Sequence, residues 1–227
     1  MDNLISVLMS VRDGQDTVQS AIQSILNQSY KNFELLVIDD FSSDNTYKLI
    51  SQFTTDNRVK VYRNDKNIGL TKSLNILAKK SKGKYLARQD ADDISLENRF
   101  EKQLNFMLSN NIEVSTTKTY INFKGGSIKP RFLYKLPNKI SLKIRNPFIH
   151  GTLMIKKDLF LSINGYDENF IFAQDYKLYS DLVEHGIKIE TLNEPLYVLN
   201  TFNNLSSKYK DDQNMYMKEV RKNIKLF

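Results

Sequence analysis

The first ninety residues switch repeatedly between two hydrophobic periods, and that alternation restricts the fold more than any other feature. Leu4-Ile5-Ser6-Val7-Leu8-Met9 is an apolar run of strand length, with the composition of a strand buried on both faces. Residues 17–26 then place Val18, Ala21, Ile22 and Ile25 on one helical face. Residues 33–38 read as a second buried strand. Ser42, Ser43 and Asp44 are N-cap candidates for a helix whose stripe is Tyr47, Ile50 and Phe53. A third strand is predicted at 59–62, a third helix at 70–80 with Leu74, Leu77 and Ala78 inward and Gly83 closing the segment, and a fourth strand at 85–87. Strand–helix alternation of this kind predicts an α/β fold with a mostly parallel central sheet covered by helices on both faces.

The second half is less regular. A helix is predicted at 97–108 and a strand at 114–123, with Gly125-Gly126 as a hairpin turn. A short strand follows at 153–155 and a helix at 175–184. Two strands, 187–192 and 196–199, are separated around Pro195. The Lys-rich stretch 207–227 reads as an amphipathic helix with Met217, Val220 and Ile224 on one side. Its apolar face is thin, which favours packing on the domain over resting on an anionic membrane.

The 227 residues are 41% hydrophobic, enough for a substantial core, and contain no cysteine, which excludes disulfides and thiolate metal sites. The net charge of +7 favours anionic partners. The basic residues are dispersed rather than clustered with aromatics, which argues against nucleic acid. The N-terminus is acidic, the apolar run behind it is too short for a signal peptide, and no stretch has the length of a membrane span. The expectation is a cytoplasmic protein, with peripheral contact to the inner face of the cell membrane resting on the C-terminal helix.

In an open parallel sheet, ligands bind outside the carboxyl ends of the strands. There the predicted strands lead into Ser10-Val11-Arg12-Asp13, Asp39-Asp40, Asn67-Ile68-Gly69 and Asp90-Ala91-Asp92-Asp93. Carboxylates as close as the last group repel one another. Two explanations compete: a hard cation among them, Mg²⁺ or Mn²⁺, with a phosphate-bearing substrate, or Asp side chains capping a helix that starts near Leu96. The four segments together form a site able to hold a base, a ribose and a metal-bound diphosphate. Arg99 either covers this site or pairs on the surface with Glu97 or Glu101; the surface pair is the commoner case.

The ordered segments resemble the family-2 glycosyltransferases of the GT-A fold. The likeness rests on the strand leading to Ser10-Val11-Arg12-Asp13, on Ser24-Ile25-Leu26-Asn27-Gln28-Ser29-Tyr30, and on Val37-Ile38-Asp39-Asp40-Phe41-Ser42-Ser43-Asp44. It continues through Asn67-Ile68-Gly69-Leu70, Gly83-Lys84-Tyr85-Leu86 and Asp90-Ala91-Asp92-Asp93, then His150-Gly151-Thr152-Leu153-Met154, Gly165-Tyr166-Asp167-Glu168 and Ala173-Gln174-Asp175-Tyr176. The resemblance implies a Rossmann-like sheet with a smaller acceptor-side region: residues 1–100 for the nucleotide-sugar donor, 101–202 for the acceptor, and 203–227 as the basic helix. It implies an inverting transfer from a nucleotide-diphosphate sugar, a UDP-sugar by expectation, to a glycan or lipid-linked acceptor in surface polysaccharide synthesis.

By the same resemblance, Asp40 accepts a hydrogen bond from the base and Ser10 contacts base or ribose. Arg12 and Asn67 lie on the donor side. Asp92 is the main ligand of Mn²⁺ or Mg²⁺ with Asp90 beside it. Asp93, His150 and Gln174 face the sugar or acceptor, and Asp175 is the catalytic base. His150 has a second reading as a structural histidine near Pro147. The chain departs from the pattern where Arg12 and Asp13 replace Tyr and Asn, where Gln174 replaces Glu, and after the last strand, where Leu199-Asn200-Thr201-Phe202-Asn203-Asn204 lacks the Arg and His that the family often has. Two other functions compete with sugar transfer. Metal-dependent nucleotidyl or phosphoryl transfer uses the acidic clusters but gives Asp175 no task. A nucleotide-sugar binding module without catalysis is compatible with Gln174 and Arg12.

Overall fold

The computed structural model describes residues 3–121, 133, 136–200 and 209–224. The described strands form one eight-stranded sheet in the order β3-β2-β1-β4-β7-β6-β8-β5. Its first half follows the sequence periods closely. β1 (Ile5–Val11), β2 (Phe33–Asp39), β3 (Val59–Arg63) and β4 (Tyr85–Arg88) are mutually parallel, in the spatial order 3-2-1-4. The helices between them are α1 (Val18–Leu26), α2 (Thr46–Ser51) and α3 (Leu70–Lys80). Alternate strand residues separate into two cores. Leu8, Leu36, Ile38 and Leu86 pack against Leu74, Leu77 and Ala78 of α3. Ile5, Val7, Met9, Leu35 and Val37 pack against Val18, Ala21, Ile22 and Ile25 of α1. That period of two is the direct consequence of a strand buried on both faces.

The acidic cluster caps no helix. It is followed by a two-residue strand, β5 (Ile94–Ser95), and the next helix, α4 (Arg99–Ser109), starts behind Asn98. Likewise α2 starts behind Asn45, while Asp44 Oδ1 accepts the Thr46 amide at 2.9 Å. α4 buries Phe100, Leu104 and Met107, spaced at one and two turns, and Phe100 meets Phe33 edge-on at 5.9 Å.

The far half of the sheet contains β6 (Val114–Ile121), β7 (Met154–Lys156) and β8 (Ile189–Leu199). β7 is antiparallel to both β4 and β6, and β8 runs parallel to β6. The two strands expected around Pro195 are one. Pairing continues past the proline through register shifts opposite Lys118, the irregularity that a residue without an amide hydrogen requires. Two short helices, α5 (Asn138–Ile144) and α6 (Lys157–Ser162), have no counterpart in the predicted elements. α7 is Gln174–Glu184. The predicted turn at Gly125-Gly126 lies outside the described residues.

The C-terminal helix, α8 (Lys210–Asn223), packs on the domain. Val220 and Ile224 are buried, Tyr216 meets Phe170 at 5.6 Å, and Lys143 Nζ donates to the carbonyls of Arg221 and Ile224 at 2.7 and 2.8 Å. Its apolar side is therefore occupied by the protein itself. Among the described residues, no helix is long and apolar enough to cross a membrane.

Candidate active site

Strand order places the predicted residues along one edge. β1 lies between β2 and β4, so the segments after β2 and β4 are two inter-strand spacings apart, roughly 10 Å. Asp40, 3% exposed, holds the β3–α3 loop. Its Oδ1 accepts Asn64 Nδ2 at 2.8 Å and the Ile68 amide at 2.9 Å, and its Oδ2 accepts the Gly69 amide at 2.8 Å. Gly69 caps α3 at φ 89°, a conformation that other L-residues rarely adopt. Asp40 thus shapes the loop carrying Asn67, whose own side chain is exposed and accepts the Gly69 amide at 3.2 Å. Three bonds leave part of the four-lone-pair capacity of the Asp40 carboxylate for a ligand. Ser10 is buried at the end of β1; Arg12 is exposed beside Asp13 at 3.6 Å, a contact worth little in solvent. Asp13, at φ 49°, accepts the Ser43 amide at 2.8 Å, and Ser42 Oγ accepts the Asp13 amide at 3.0 Å, so the first two sheet-edge loops are laced together.

The acidic cluster stands on two buried arginines. Arg88, 3% exposed, pairs with Asp90 Oδ1 at 2.6 Å; burial works to lower its pKa, and Asp90 together with Tyr166, Tyr197 and Asp93 raises it on balance. Arg99 is fully buried and pairs with neither Glu97 nor Glu101. It donates to Ser95 Oγ at 2.8 Å, Gln89 Oε1 at 3.3 Å and the Arg88 carbonyl at 2.9 Å, and burial lowers its pKa to about 10. The surface-pair expectation for Arg99 fails: α4 begins at Arg99, two residues after the predicted start, and Arg99 shares the buried face of the helix with Phe100, Gln103, Leu104 and Met107. Gln89 Nε2 completes the turn by donating to the carbonyls of Asp90 and Asp93 at 3.0 and 2.9 Å.

The three carboxylates differ. Asp92 is partly exposed, and burial plus the charge of Asp90 raise its pKa to about 6. Asp93 is 2% exposed; its Oδ1 accepts the Asn200 amide at 2.7 Å, its other contact is Tyr197, and burial pushes its pKa well up. The side chain is therefore turned toward the end of β8, away from open solvent. Tyr197, itself fully buried, accepts the Asp90 amide at 3.1 Å.

β7 enters the sheet antiparallel, so the 3₁₀ turn His150–Thr152 ahead of it arrives beside Arg88 and Asp90. His150 Nε2 and Tyr166 Oη are 2.7 Å apart. Burial and the charge of Arg88 lower the His150 pKa to about 3, so this ring is neutral at physiological pH and either donates to or accepts from Tyr166 according to its tautomer. A Cβ on Gly151 would stand 2.6 Å from Tyr197 Cζ and 2.8 Å from Asp90 Oδ2. Gly151→Ala is therefore expected to cost about 1–3 kcal/mol and to displace Asp90; a thermal melt and a UDP titration of the variant check both.

Asp175 lies in the first turn of α7, behind Ala173 in the left-handed region at φ 54°. Its Oδ2 accepts Asn146 Nδ2 at 2.9 Å. Burial raises its pKa to about 6, with the charge of Asp90 acting in the same direction, against the amides of its own helical turn and Asn146. Asp175, supplied by the second half, therefore feels the charge of the cluster after β4. Gln174 is partly buried beside it. Sequence reasoning singled out most of this constellation; it missed Asn146, Tyr197, Arg88 and the role of Tyr166. Of these, the Asn146-Pro147-Phe148 turn signal was legible.

A divalent cation fits these residues in a restricted sense. Among the described residues, no three acidic or histidine side chains converge into a ready-made cage. Yet the pKa of Asp92 is raised by burial and by Asp90, and the cluster offers only oxygen donors. That suits a hard cation taking one or two carboxylates and completing its shell with phosphate and water.

An open sheet in this order, with acidic segments at the carboxyl ends and a carboxylate-bearing helix across from them, is the GT-A type of glycosyltransferase fold. The chain belongs to glycosyl transferase family 2, whose sequence model matches residues 6–162. It is 39% identical over 204 residues to the O-antigen biosynthesis glycosyltransferase WbnJ of Escherichia coli, covering 86% of this chain and 78% of that one. It is 34% identical over 185 residues to the UDP-Glc:alpha-D-GlcNAc-diphosphoundecaprenol beta-1,3-glucosyltransferase WfgD of Escherichia coli, covering 81% and 71%. The fold matches S. aureus TarS in complex with UDP-GlcNAc at a TM-score of 0.79 and 17% identity, over 95% of this chain and 65% of that one; a longer TarS chain is spanned to 38%.

Proposed function

We propose that the chain transfers a hexosyl or N-acetylhexosaminyl group from a UDP-sugar to a hydroxyl of a lipid-linked glycan, with inversion, during assembly of a surface polysaccharide. The observation that supports this reading is a carboxylate from each half of the chain: Asp90 and Asp92 after β4, and Asp175 in the first turn of α7, held by Asn146 Nδ2 at 2.9 Å. Transfer needs two separate tasks done on two sides of one sugar. The attacking hydroxyl must lose its proton as its oxygen bonds to the anomeric carbon, and Asp175 takes that proton. The bond from the anomeric carbon to the diphosphate oxygen breaks, and UDP leaves with the electron pair. Attack from the face opposite the leaving group inverts the centre.

In this reading Ser10 and Asp40 seat the uridine, with Arg12 and Asn67 at the rim. Residues 1–100 serve the donor and 101–202 the acceptor, and 203–227 are the C-terminal basic segment that contains α8. Asp92, with Asp90, would hold Mn²⁺ or Mg²⁺, which when bound neutralises charge developing on the diphosphate. His150 and Gln174 line the sugar side, His150 as a neutral ring held by Tyr166. Asp93 ties the cluster to β8. The names of the relatives are consistent with the substrates: WfgD is named for a UDP-Glc donor and a diphosphoundecaprenol acceptor, and WbnJ for O-antigen biosynthesis.

The test is release of UDP from a panel of UDP-sugars with Mn²⁺ or Mg²⁺, with and without a polyprenyl-diphosphate-linked sugar. Metal-stimulated UDP release that rises with acceptor is expected. Asp92→Asn should lose about 100-fold or more of the metal-stimulated rate, since such a cation supplies several kcal/mol of charge stabilisation. An Asp92→Asn protein with unchanged metal dependence would remove Asp92 from the metal site.

A further inference from the structure

We propose that Asn146 is the positioning residue of the catalytic base, fixing the Asp175 carboxylate by a one-directional amide hydrogen bond from an Asn-Pro turn bolted to α7. The inference rests on the assignment of Asp175 as base and names a residue that this assignment does not require.

The argument begins with Asn146-Pro147-Phe148. An Asn side chain readily accepts the amide two residues on, and a proline between them has no amide hydrogen to compete. Here Asn146 Oδ1 accepts the Phe148 amide at 3.0 Å. Because the carbonyl side of the amide is committed to Phe148, the NH₂ side must face the other way, and it donates to Asp175 Oδ2 at 2.9 Å. The amide orientation is thus set by chemistry: the reversed arrangement would put two acceptors against each other and two donors against each other.

The turn is held to α7 at three successive points. The Tyr176 hydroxyl donates to the Leu142 carbonyl at the end of α5. Asn146 meets Asp175. Phe148 packs on Tyr179, ring centroids 4.9 Å apart, one helical turn beyond Asp175 on the same face. Phe148 and Tyr179 are both buried, so the turn cannot drift along the helix without opening the core. Only one of the three contacts touches the reacting group, and it is the one that discriminates between protonation states. A donor at 2.9 Å stabilises the carboxylate and not the acid, so it holds the pKa of Asp175 down against burial. The amides of Asp175 and Tyr176 in the same helical turn act in the same direction as Asn146 and more strongly, Asp90 raises the pKa, and Tyr166 and Tyr176 are uncharged phenols. Lys177, the next residue along, is turned to Asp181 and Asp167.

Two variants separate positioning from folding. Asn146→Asp keeps the acceptor for the Phe148 amide and replaces only the donor to Asp175. Asn146→Ala removes both. The readout is the titration of Asp175 followed by ¹³C NMR of aspartate carboxyl carbons, with the signal assigned by its absence in Asp175→Asn. The wild-type midpoint is expected near the value of about 6. In Asn146→Ala it should move up by about half a pH unit, that is, about threefold tighter proton binding, because the amides of the helical turn remain. In Asn146→Asp two carboxylates share the site and the upper midpoint should rise further. The acid limb of kcat for UDP release should move with it, at unchanged KM and with activity recovered at higher pH. A purely structural role would lower activity equally at all pH values and leave the carboxyl midpoint alone. An unchanged midpoint in both variants overturns the proposal for Asn146 and leaves Asp175 as base. A shifted midpoint together with full turnover by Asp175→Asn retains the hydrogen bond and removes the base.

Discussion

With Asp175 as the proposed base, Asp175→Asn is expected to lower turnover by about 10²–10⁴-fold, the span a positioned general base supplies, while the affinity for UDP is expected to stay within a few-fold of wild type. The substitution keeps the shape of the side chain and removes its ability to take a proton. Wild-type kcat should also depend on pH with a definite sign. Burial raises the Asp175 pKa from 3.8 to about 6. The ionised form required of a base dominates above that value and declines about tenfold per pH unit below it. Stability runs the other way. A carboxyl whose folded pKa is raised contributes most below its unfolded pKa, near pH 4, and loses that contribution as pH rises to 6. Asp175→Asn should therefore match or exceed the wild-type melting temperature at pH 7–8 while being nearly inactive. Rates of UDP release from pH 5 to 8.5, beside melts at the same pH values, check both halves. An Asp175→Asn enzyme with wild-type turnover would take the proton-accepting role away from this residue.

Arg99→Met has the largest expected effect on stability, about 3–5 kcal/mol, because buried neutral acceptors left without a donor cost about 1–3 kcal/mol each. Met fills similar volume, so little of the loss comes from a cavity. It comes from Ser95 Oγ and the Arg88 carbonyl, which lose the guanidinium donor, and from Gln89 Oε1, which keeps only Ser95 Oγ at 2.6 Å. For a chain of this size the melting temperature should fall by roughly 6–20 °C. UDP binding should weaken too, because Gln89 holds the backbone of Asp90 and Asp93. Arg99→Lys should recover only part of the loss, since an ammonium cannot reach three divergent acceptors as the guanidinium fork does. Melting curves of the two variants with and without UDP decide this; a loss below about 1 kcal/mol in Arg99→Met would mean that the network is not under load.

The parts of the site legible in the sequence share one property. Ser10 is the penultimate residue of β1, and Asp40 and Asp90 come within two residues of the ends of β2 and β4, so their placement at the sheet edge follows from local periodicity plus the rule that parallel strands share a direction. Asp175 was legible through its family segment. Asn146 and Tyr197 were not, because neither has a local pattern pointing to its partner. Asn146 precedes Asp175 by 29 residues and Tyr197 follows Asp90 by 107. Arg99 misled because an arginine among acidic neighbours at a helix start looks solvated; its partners Gln89, Ser95 and the Arg88 carbonyl lie on other elements of the fold.

Local alternation of apolar residues determined the parallel half of this sheet and the edge where its polar groups gather, since strand and helix periods are written into neighbouring positions. The tertiary structure alone decided how the second half closes on the first. β7 enters antiparallel beside β4, β8 continues through Pro195 to bring Tyr197 and Asn200 against the acidic cluster, and α7 delivers Asp175 onto the Asn146 turn. Those contacts join residues tens of positions apart. They arise from filling two cores at once, which no window of sequence contains.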